Sequence, residues 1–347
     1  MRAESIPADG WRGSPERWLG GVLCQDLRAG DGTRLLAKGH RLERADDLLL
    51  EAAAPGDLHL VFLEPGDVDE DSAAVRLVAR VAGEGLLAGR PVESQVTCRA
   101  RWRGLVHVAS ERLLALNALD GVTVFTLPDG MPVEAGRSVA GVKVTGLGIP
   151  SEALEEAEAR AGTGGLVDVH PFLPRRVSAL VLEGLSQTRR ARFEEALRLK
   201  VEWLQGSVRE VRYLPDRGAV DWEVMSSMVA TSDLLLVAGV ASIDPLDRPW
   251  RALLEAGALA VRRGLPVHPG SSYWVARLGS CEVVGVASCG MFSRRTALDL
   301  LLCRSFSGGS LTPEYLASLG EGGLLARELQ HRFPDYRGEG AGILEPD

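Results

Sequence analysis

Residues 233–257 read DLLLVAGVASIDPLDRPWRALLEAG and indicate how the second half of the chain is built. The stretch begins as a continuous apolar run, which is typical of a buried strand, and then passes through small residues. Two carboxylates follow, Asp244 and Asp247, and a predicted helix begins at once with Pro249 near its first turn. A strand end, a loop of small residues and a helix start together form a ligand-binding corner in an open α/β sheet.

Two further corners of the same kind follow along the chain. The stretch PVHPGSS (266–272) ends a predicted short strand, LPVH, at Pro269-Gly270. The stretch EVVGVASCGMFSRR (282–295) runs from a predicted strand into a loop with two serines and a cysteine. Three corners in succession predict a pocket built by loops along one edge of a sheet.

The pattern of elements predicts two domains of different class. From Val177 onward strands alternate with helices, which predicts an α/β domain with a three-layer, mostly parallel sheet. Within it, RPWRALLEAGALAVRRG (248–264) is predicted as one helix that ends at Gly264. Short strands and turns predict that the preceding region is β-rich with a few helices. The predicted segments are a tail (1–16), the β-rich N-terminal domain (17–150), a helix and linker (151–175), the α/β domain (176–330) and a second tail (331–347).

Composition excludes several classes of protein. The chain has 347 residues, 46% of them hydrophobic, with a net charge of −8 and a pI of about 5.4. An acidic chain is a poor nonspecific ligand for nucleic acid, which is bound by neutralising phosphates. No apolar run approaches the roughly 20 residues of a membrane span, and the N-terminus lacks the apolar core of a signal peptide. We therefore expect a cytoplasmic protein that binds neither nucleic acid nor membrane.

The cysteines and the common phosphate motifs give further exclusions. The five cysteines include no CxxC pair, and their odd number favours free thiols in a reducing compartment. The dinucleotide fingerprint GxGxxG after a strand, the P-loop and the GxSxG elbow are all absent from the sequence.

Each corner has a functional interpretation and a plain structural one. Asp247 could coordinate a cation or orient a polar ligand group, or it could only cap the helix that follows. Pro269-Gly270 and the two serines after it could present N–H groups and hydroxyls to a phosphate, or could form a simple turn. In the third corner, Arg294 and Arg295 are predicted in the first turn of a helix, where they suit an anion or are merely solvated.

The three loops resemble those of the molybdopterin-binding domain that molybdopterin adenylyltransferases and molybdopterin molybdotransferases share. VAGVASIDPLDRP (237–249) resembles the family's glycine-rich loop and the aspartate after it, PVHPG (266–270) its Pro-Gly loop, and EVVGVASCGMFS (282–293) its third loop. The resemblance extends from about Gly20 to Leu325 and is closest to bacterial molybdopterin-binding proteins in which this domain follows a β-rich region. Outside the three loops, the stretches that carry it are LLAKGHRLERADDLLLEAA, EPGDVDEDSAAVRL, LNALDGVTVFTLPDGMPVEAGRSVAGVKV and the closing LGEGGLL.

The chain departs from the family pattern in each loop. Val240 and Ala241 stand where the first loop is richer in glycine and threonine, and Ala287-Ser288 replaces a Pro-Gly pair in the third. Bulky Tyr273 and Trp274 follow the second loop. A Cβ atom restricts the backbone and hinders close approach to a phosphate, so these changes bear on catalysis more than on the fold.

The resemblance implies binding of molybdopterin or the molybdenum cofactor during its biosynthesis or handling, with adenylyl transfer or metal insertion as the family's chemistry. A pterin phosphate would meet backbone N–H groups at the three corners. Asp247 would be the catalytic residue and, alone or with Asp244, would hold Mg²⁺ or a pterin amine. The residues predicted to bind the cofactor are Gly239, Ser242, Asp244, Asp247, Pro269, Gly270, Ser271, Ser272, Gly285, Ser288, Cys289, Ser293 and Arg294.

Other interpretations of the same sequence stay open. The altered loops also suit a carrier, a sensor or a chaperone, or a non-catalytic regulatory or scaffold protein with a degenerate pocket. A nucleotide-dependent transferase with another substrate is a third class. The resemblance further implies a pterin as the small-molecule partner, a homo-oligomer, and contact with molybdoenzymes or enzymes of cofactor synthesis.

Overall fold

The computed structural model describes the chain except for residues 8–9, 11–14, 47–49, 51–52, 54–55, 215–221, 243, 288–294, 327–331 and 337–347. It is a mixed α/β structure with several sheets and two compact units. The first unit comprises Met1–Arg101, His107–Pro128 and Ala135–Val169, and the second comprises Trp102–Val106, Asp129–Glu134 and His170–Asp347.

Short strands dominate the chain up to residue 171. The strands are β1 (Arg2–Ile6), β2 (Val22–Leu23), β3 (Leu27–Arg28), β4 (Arg34–Leu36), β5 (Leu58–Phe62), β6 (Asp67–Asp69), β7 (Leu86–Ala88), β8 (Gln95–Ala100), β9 (Gly104–Val108), β10 (Val122–Thr126), β11 (Pro132–Val133), β12 (Ser138–Val144), β13 (Gly148–Pro150) and β14 (Val167–Pro171). The helices are α1 (Glu70–Val81), α2 (Ser110–Asn117) and α3 (Ser151–Ala161), with 3-10 turns at Pro15–Trp18 and Arg44–Asp46.

Helix α1 buries apolar side chains in the first unit and is bonded to a second helix, α3. Asp69 caps it by accepting a hydrogen bond from the Ser72 amide at 3.0 Å. Arg76 forms two parallel hydrogen bonds to Glu158 of α3, at 3.0 and 2.8 Å, and this guanidinium holds the pKa of Glu158 below its usual range. Helix α3 therefore packs within the first unit.

Two predicted segments differ from the structure at the ends of the chain. The sequence predicts a tail over residues 1–16, but β1 pairs antiparallel with β5 over its whole length. In the predicted C-terminal tail, Phe333 is buried and Tyr336 donates a hydrogen bond to Asp299 at 2.9 Å. Both ends of the chain are polar in sequence, which predicts loose tails. Tertiary contacts supply the packing partners that the local sequence does not show.

A single six-stranded sheet forms the centre of the second unit. Its elements are β15 (Arg176–Val181), α4 (Gln187–Trp203), β16 (Ser207–Tyr213), α5 (Trp222–Thr231), β17 (Leu234–Ala238), α6 (Arg248–Glu255), β18 (Leu259–Arg263), β19 (Trp274–Leu278), β20 (Cys281–Val286), α7 (Ala297–Phe306) and α8 (Pro313–Ser318). The strand order is β16-β15-β17-β20-β19-β18. The first four strands in this order are parallel, whereas β19 runs antiparallel to both of its neighbours.

Helices cover both faces of this sheet. One hydrophobic cluster joins α4 and α7 to strand residues such as Ala179, Leu236 and Val284. The other joins α5 and α6 to the alternate strand residues, such as Leu235 and Val283. Because successive side chains of a strand point to opposite faces, the apolar runs of these strands serve both clusters and give three layers.

The helix predicted over 248–264 is shorter in the structure, and a strand follows it. Helix α6 ends at Glu255, and Gly257 takes a positive φ of 83°. The amide of Gly257 donates to the Leu254 carbonyl at 3.0 Å, and the amide of Ala258 donates to the Leu253 carbonyl at 2.9 Å. This glycine turn stops the helix and frees the next residues to pair as β18. The predicted strand LPVH is a loop instead.

A buried ion pair ties α4 to α7. Lys200 Nζ lies 2.8 Å from Asp299 Oδ1, and the residues are 7% and 0% exposed. Asp299 also accepts a hydrogen bond from the Thr296 amide at 2.8 Å, which makes it part of the capping box of α7. The carboxylate therefore links two helices and the start of one of them.

Replacing Lys200 with methionine should lower the free energy of unfolding by about 3–5 kcal/mol, because it leaves a buried carboxylate without its cation. Urea unfolding followed by circular dichroism measures the change. The matched control is Arg198→Met, which removes an exposed pair with Glu202 on the same helix and should cost about 0.5 kcal/mol or less. Equal losses for the two variants would contradict a structural role for the buried pair.

Candidate functional site

The three predicted corners lie along one edge of the six-stranded sheet. Val181, Ala238 and Val286, the last residues of β15, β17 and β20, are paired in register. Strand β19 is antiparallel, so its first residue, Trp274, pairs with Gly285 near the end of β20. The loops after β17 and β20 and the loop before β19 therefore leave the sheet at the same edge, where ligands bind in such sheets.

A pocket of about 330 Å³ opens at this edge. Its lining residues come from all three loops: Val240, Ala241, Ser242 and Asp244 from the first, Ser272 from the second, and Ala287 from the third. Of the residues predicted to bind the cofactor, the structure thus brings Ser242, Asp244 and Ser272 together around one cavity.

Most of the described backbone N–H groups of the first loop are already bonded within the protein. Gly239, with a φ of 85°, turns the chain and donates to the Val286 carbonyl at 2.8 Å. The Ala241 amide donates to Asp247 Oδ1 at 3.4 Å, and the Asp244 amide donates to the Ala241 carbonyl at 2.8 Å. These bonds shape the loop, so the expected contact of a phosphate with its backbone amides is not what the geometry favours.

Two residues of this loop that line the pocket, Ser242 and Asp244, have polar side chains. The hydroxyl oxygen of Ser242 is buried and makes no hydrogen bond to any residue that the structure describes. Asp244 is exposed, and its Oδ1 accepts a hydrogen bond from the Leu246 amide at 2.8 Å. A buried hydroxyl without a partner costs free energy, whereas the Asp244 carboxylate is open to solvent at the pocket.

Asp247 lies beside the pocket and does not line it. It occupies the cap position of α6 without a side-chain bond to that helix, and it is 8% exposed. Its carboxylate instead accepts from the Ala241 amide of the preceding loop. Asp247 therefore holds the first loop against the helix, and its predicted catalytic and Mg²⁺-binding roles stay predictions.

The second loop packs onto the start of α7. The Pro269 carbonyl accepts from the Ala297 amide at 2.9 Å, and a Cβ atom on Gly270, whose φ is 125°, would overlap the Ala297 side chain. The two serines that follow Gly270 line different cavities. Ser272 lines the pocket of the three loops, whereas Ser271 lines a second depression of about 280 Å³ with residues that include His268.

The third loop is described only at its ends. Ser288, Cys289, Ser293 and Arg294 lie outside the described residues, and Ala287 lines the pocket. The helix that follows begins at Ala297, because Thr296 and Asp299 form its capping box. Arg295 therefore precedes the helix instead of standing in its first turn, and its guanidinium lies 5.9 Å from the ring centroid of Phe333.

The bulky pair after the second loop does not fill the pocket. Tyr273 and Trp274 are both 0% exposed and belong to the cores on opposite faces of the sheet. The Trp274 indole lies directly on Gly285, where any Cβ atom would overlap it. Gly285, predicted to bind the cofactor, thus has a packing role within β20.

The structure places beside the pocket a cationic side chain that the sequence pattern does not predict there. Arg263, the last residue of β18, donates from Nη2 to the carbonyl oxygens of Ser242 at 2.8 Å and of Asp244 at 3.0 Å. The sequence predicts a helix for the stretch that contains Arg263, so it does not predict an arginine at this edge of the sheet. Interpreted as a strand, the stretch would have placed an arginine at the edge where the loops meet.

The described residues also bear on metal binding, on the state of the cysteines and on membrane spans. Among the described residues, no group of three or more histidine, cysteine, aspartate and glutamate side chains is placed to hold a metal ion. Burial raises the pKa of the Cys98 thiol to about 11 and that of Cys281 to about 12, and neither is in a disulfide. None of the described helices has the length and apolar character needed to span a bilayer.

Comparisons with known proteins give structural neighbours alone. No family model matches the chain, and neither does any curated protein. The chain is similar to a solved structure of the molybdopterin biosynthesis MoeA protein from Pyrococcus horikoshii, at 13% identity and a TM-score of 0.28, over 89% of this chain and 76% of that one. It is also similar to the molybdopterin biosynthesis enzyme MoaB from Thermus thermophilus, at 16% identity and a TM-score of 0.26, over 42% of this chain and 97% of that one. Because these TM-scores are low, the neighbours establish nothing about the function of this chain.

Substituting alanine for Gly285 tests the packing role assigned to it. The added methyl group would displace the Trp274 indole, and we expect a loss of about 1–3 kcal/mol in the free energy of unfolding. Chemical denaturation measures it. Gly184→Ala is the control, since a Cβ atom there meets nothing within 4 Å. A Gly285→Ala protein as stable as the control would remove the packing role.

Proposed function

We propose that the chain binds molybdopterin or the molybdenum cofactor through the pocket formed by its three loops. Two lines support the proposal: the resemblance of the loop sequences to the molybdopterin-binding domain, and the meeting of those loops around one cavity. The volume of about 330 Å³ is at the lower end of the range of small-molecule pockets. The observation that carries most weight is that residues of all three loops line this one cavity.

The lining side chains suit the edge of a pterin ring. The pyrimidine edge of a pterin carries an amino group and a ring N–H, which are adjacent donors, and a carboxylate offers two acceptor oxygens. Asp244 is the exposed carboxylate of the pocket, and the Ser242 hydroxyl can donate or accept beside it. Val240, Ala241 and Ala287 supply apolar contact for the flat ring. Asp244, more than Asp247, therefore matches the role of holding a pterin amine.

The same geometry favours a binding or carrier function over a transferase. The carboxylate of Asp247, the family's catalytic position, is turned toward the amide of Ala241 in its own loop. The alternative of a degenerate scaffold loses one of the two features that favour it, since Tyr273 and Trp274 lie in the two cores and not in the cavity, whereas the Ala287-Ser288 replacement still suits it. Transfer of the cofactor to a molybdoenzyme or to another enzyme of its synthesis, and self-association, belong to this proposal.

Replacing Ser242 with alanine should weaken pterin binding about fivefold without lowering stability. The variant loses one ligand hydrogen bond, worth about 1 kcal/mol, while it also removes a buried hydroxyl that has no partner among the described residues of the free protein. Calorimetry with an oxidised, phosphorylated pterin gives the affinity, and thermal unfolding gives the stability. Ser226→Ala is the control, because this half-buried serine bonds within α5. Unchanged affinity in Ser242→Ala would exclude the hydroxyl from the site.

Converting Asp244 to asparagine tests the carboxylate at the same pocket. One acceptor oxygen becomes a donor that opposes the donors of the pterin edge, so we expect a loss of affinity of about tenfold or more. The control is Asp120→Asn in the first unit, since Asp120 makes a similar local bond to a neighbouring amide. Mass spectrometry of ligand that co-purifies from cofactor-producing cells identifies the bound species. The absence of a pterin there, with no binding of added pterin, would refute the proposed function.

A further inference from the structure

Arg263 stands beside the pocket in a fixed position. Its Nη2 donates to the carbonyl oxygens of Ser242 and Asp244, two of the residues that line the cavity. Its guanidinium carbon lies 5.3 Å from the ring centroid of Trp250. Trp250 in turn packs edge-on against Trp274, with 5.2 Å between ring centroids. Both tryptophans are buried, so the guanidinium is held between a rigid aromatic pair and the first loop.

This arrangement leaves part of the guanidinium for a ligand. Arginine has five N–H donors in a planar fork, and the two loop carbonyls are bonded by Nη2 alone. The side chain is exposed, and no carboxylate of a described residue forms an ion pair with it. Among the described residues, the carboxylate that lines the pocket is that of Asp244, and a carboxylate recognises hydrogen-bond donors instead of an anion. The site thus has an acidic group and a basic group beside the same loop.

We propose that Arg263 is the anion-binding residue of this pocket and receives the phosphate of the pterin ligand. This inference rests on the proposed function. It assigns the two ends of the ligand: the pterin edge to Asp244 and Ser242, and the phosphate to the guanidinium next to them. Charge-assisted hydrogen bonds to a phosphate are stronger than neutral ones, and arginine suits the geometry of its oxygens. The sequence pattern gives a similar role to Arg294 and Arg295, of which Arg294 lies outside the described residues.

Two ligands that differ only in the phosphate test the assignment. We would use 6-hydroxymethylpterin and its phosphate monoester as probes, with the full-length chain and calorimetry at low and at physiological salt. The wild-type protein should bind the monoester more tightly than the unphosphorylated pterin. This preference should diminish as salt increases, because the guanidinium is exposed and its charge is screened.

Two substitutions separate the charge of Arg263 from its contact with the loop. Arg263→Gln keeps an N–H₂ group that can bond the loop carbonyls but removes the charge, and should lower affinity for the monoester about tenfold while leaving the unphosphorylated probe unaffected. Arg263→Lys keeps the charge and should retain most of the preference. The control is Arg262→Gln, since this neighbour points to the other face of the strand and donates to the Gly264 carbonyl.

Each outcome bears on a different statement. An equal loss of affinity for both probes in Arg263→Gln would make Arg263 a support of the loop and overturn its phosphate-binding role. Unchanged binding of both probes would overturn it as well. If the wild-type protein binds neither probe, the proposed function fails, and the inference fails with it. A thermal melt of each variant confirms that the loss reflects binding and not unfolding.

Discussion

The buried carboxylate of Asp299 joins helices α4 and α7 of the second unit, next to the second loop of the candidate site. Lys200 Nζ approaches both of its oxygens, at 2.8 and 2.9 Å, while the Thr296 amide and the Tyr336 hydroxyl donate to it as well. A charge without solvent persists only when such partners compensate for the lost hydration. Because Asp299 is also part of the capping box of α7, the same interaction determines where that helix begins.

The position of this helix start then constrains the second loop. The Ala297 amide, next to the cap, binds the Pro269 carbonyl, and the Ala297 side chain occupies the space that only a glycine at 270 leaves open. Ser272 reaches the pocket from a loop fixed in this way. A buried electrostatic contact far from the cavity in sequence is therefore part of what gives the cavity its shape.

The pocket itself is made of side chains where the family pattern suggests backbone. The amides of the first loop bond the ends of neighbouring strands and the carboxylate of Asp247, so this loop is stable as it stands. Hydroxyl and carboxylate groups at Ser242 and Asp244, with the Arg263 guanidinium beside them, are the groups that we propose recognise the ligand. Such a site is suited to holding a molecule by both of its ends, which agrees better with binding and delivery than with chemistry at Asp247.

The sequence by itself determined the alternation of strands and helices after Val177, because apolar runs of strand length and capped amphipathic segments are local properties. It also located the three corners, since glycine, proline and serine mark the loops between such elements. It could not show that Leu259–Arg263 is a strand, which depends on pairing with β19 as much as on the glycine at 257. Nor could it show which loop residues line the cavity or that Arg263 stands beside them. Tertiary structure decided both, because strand pairing and side-chain packing bring together residues that are far apart in the chain.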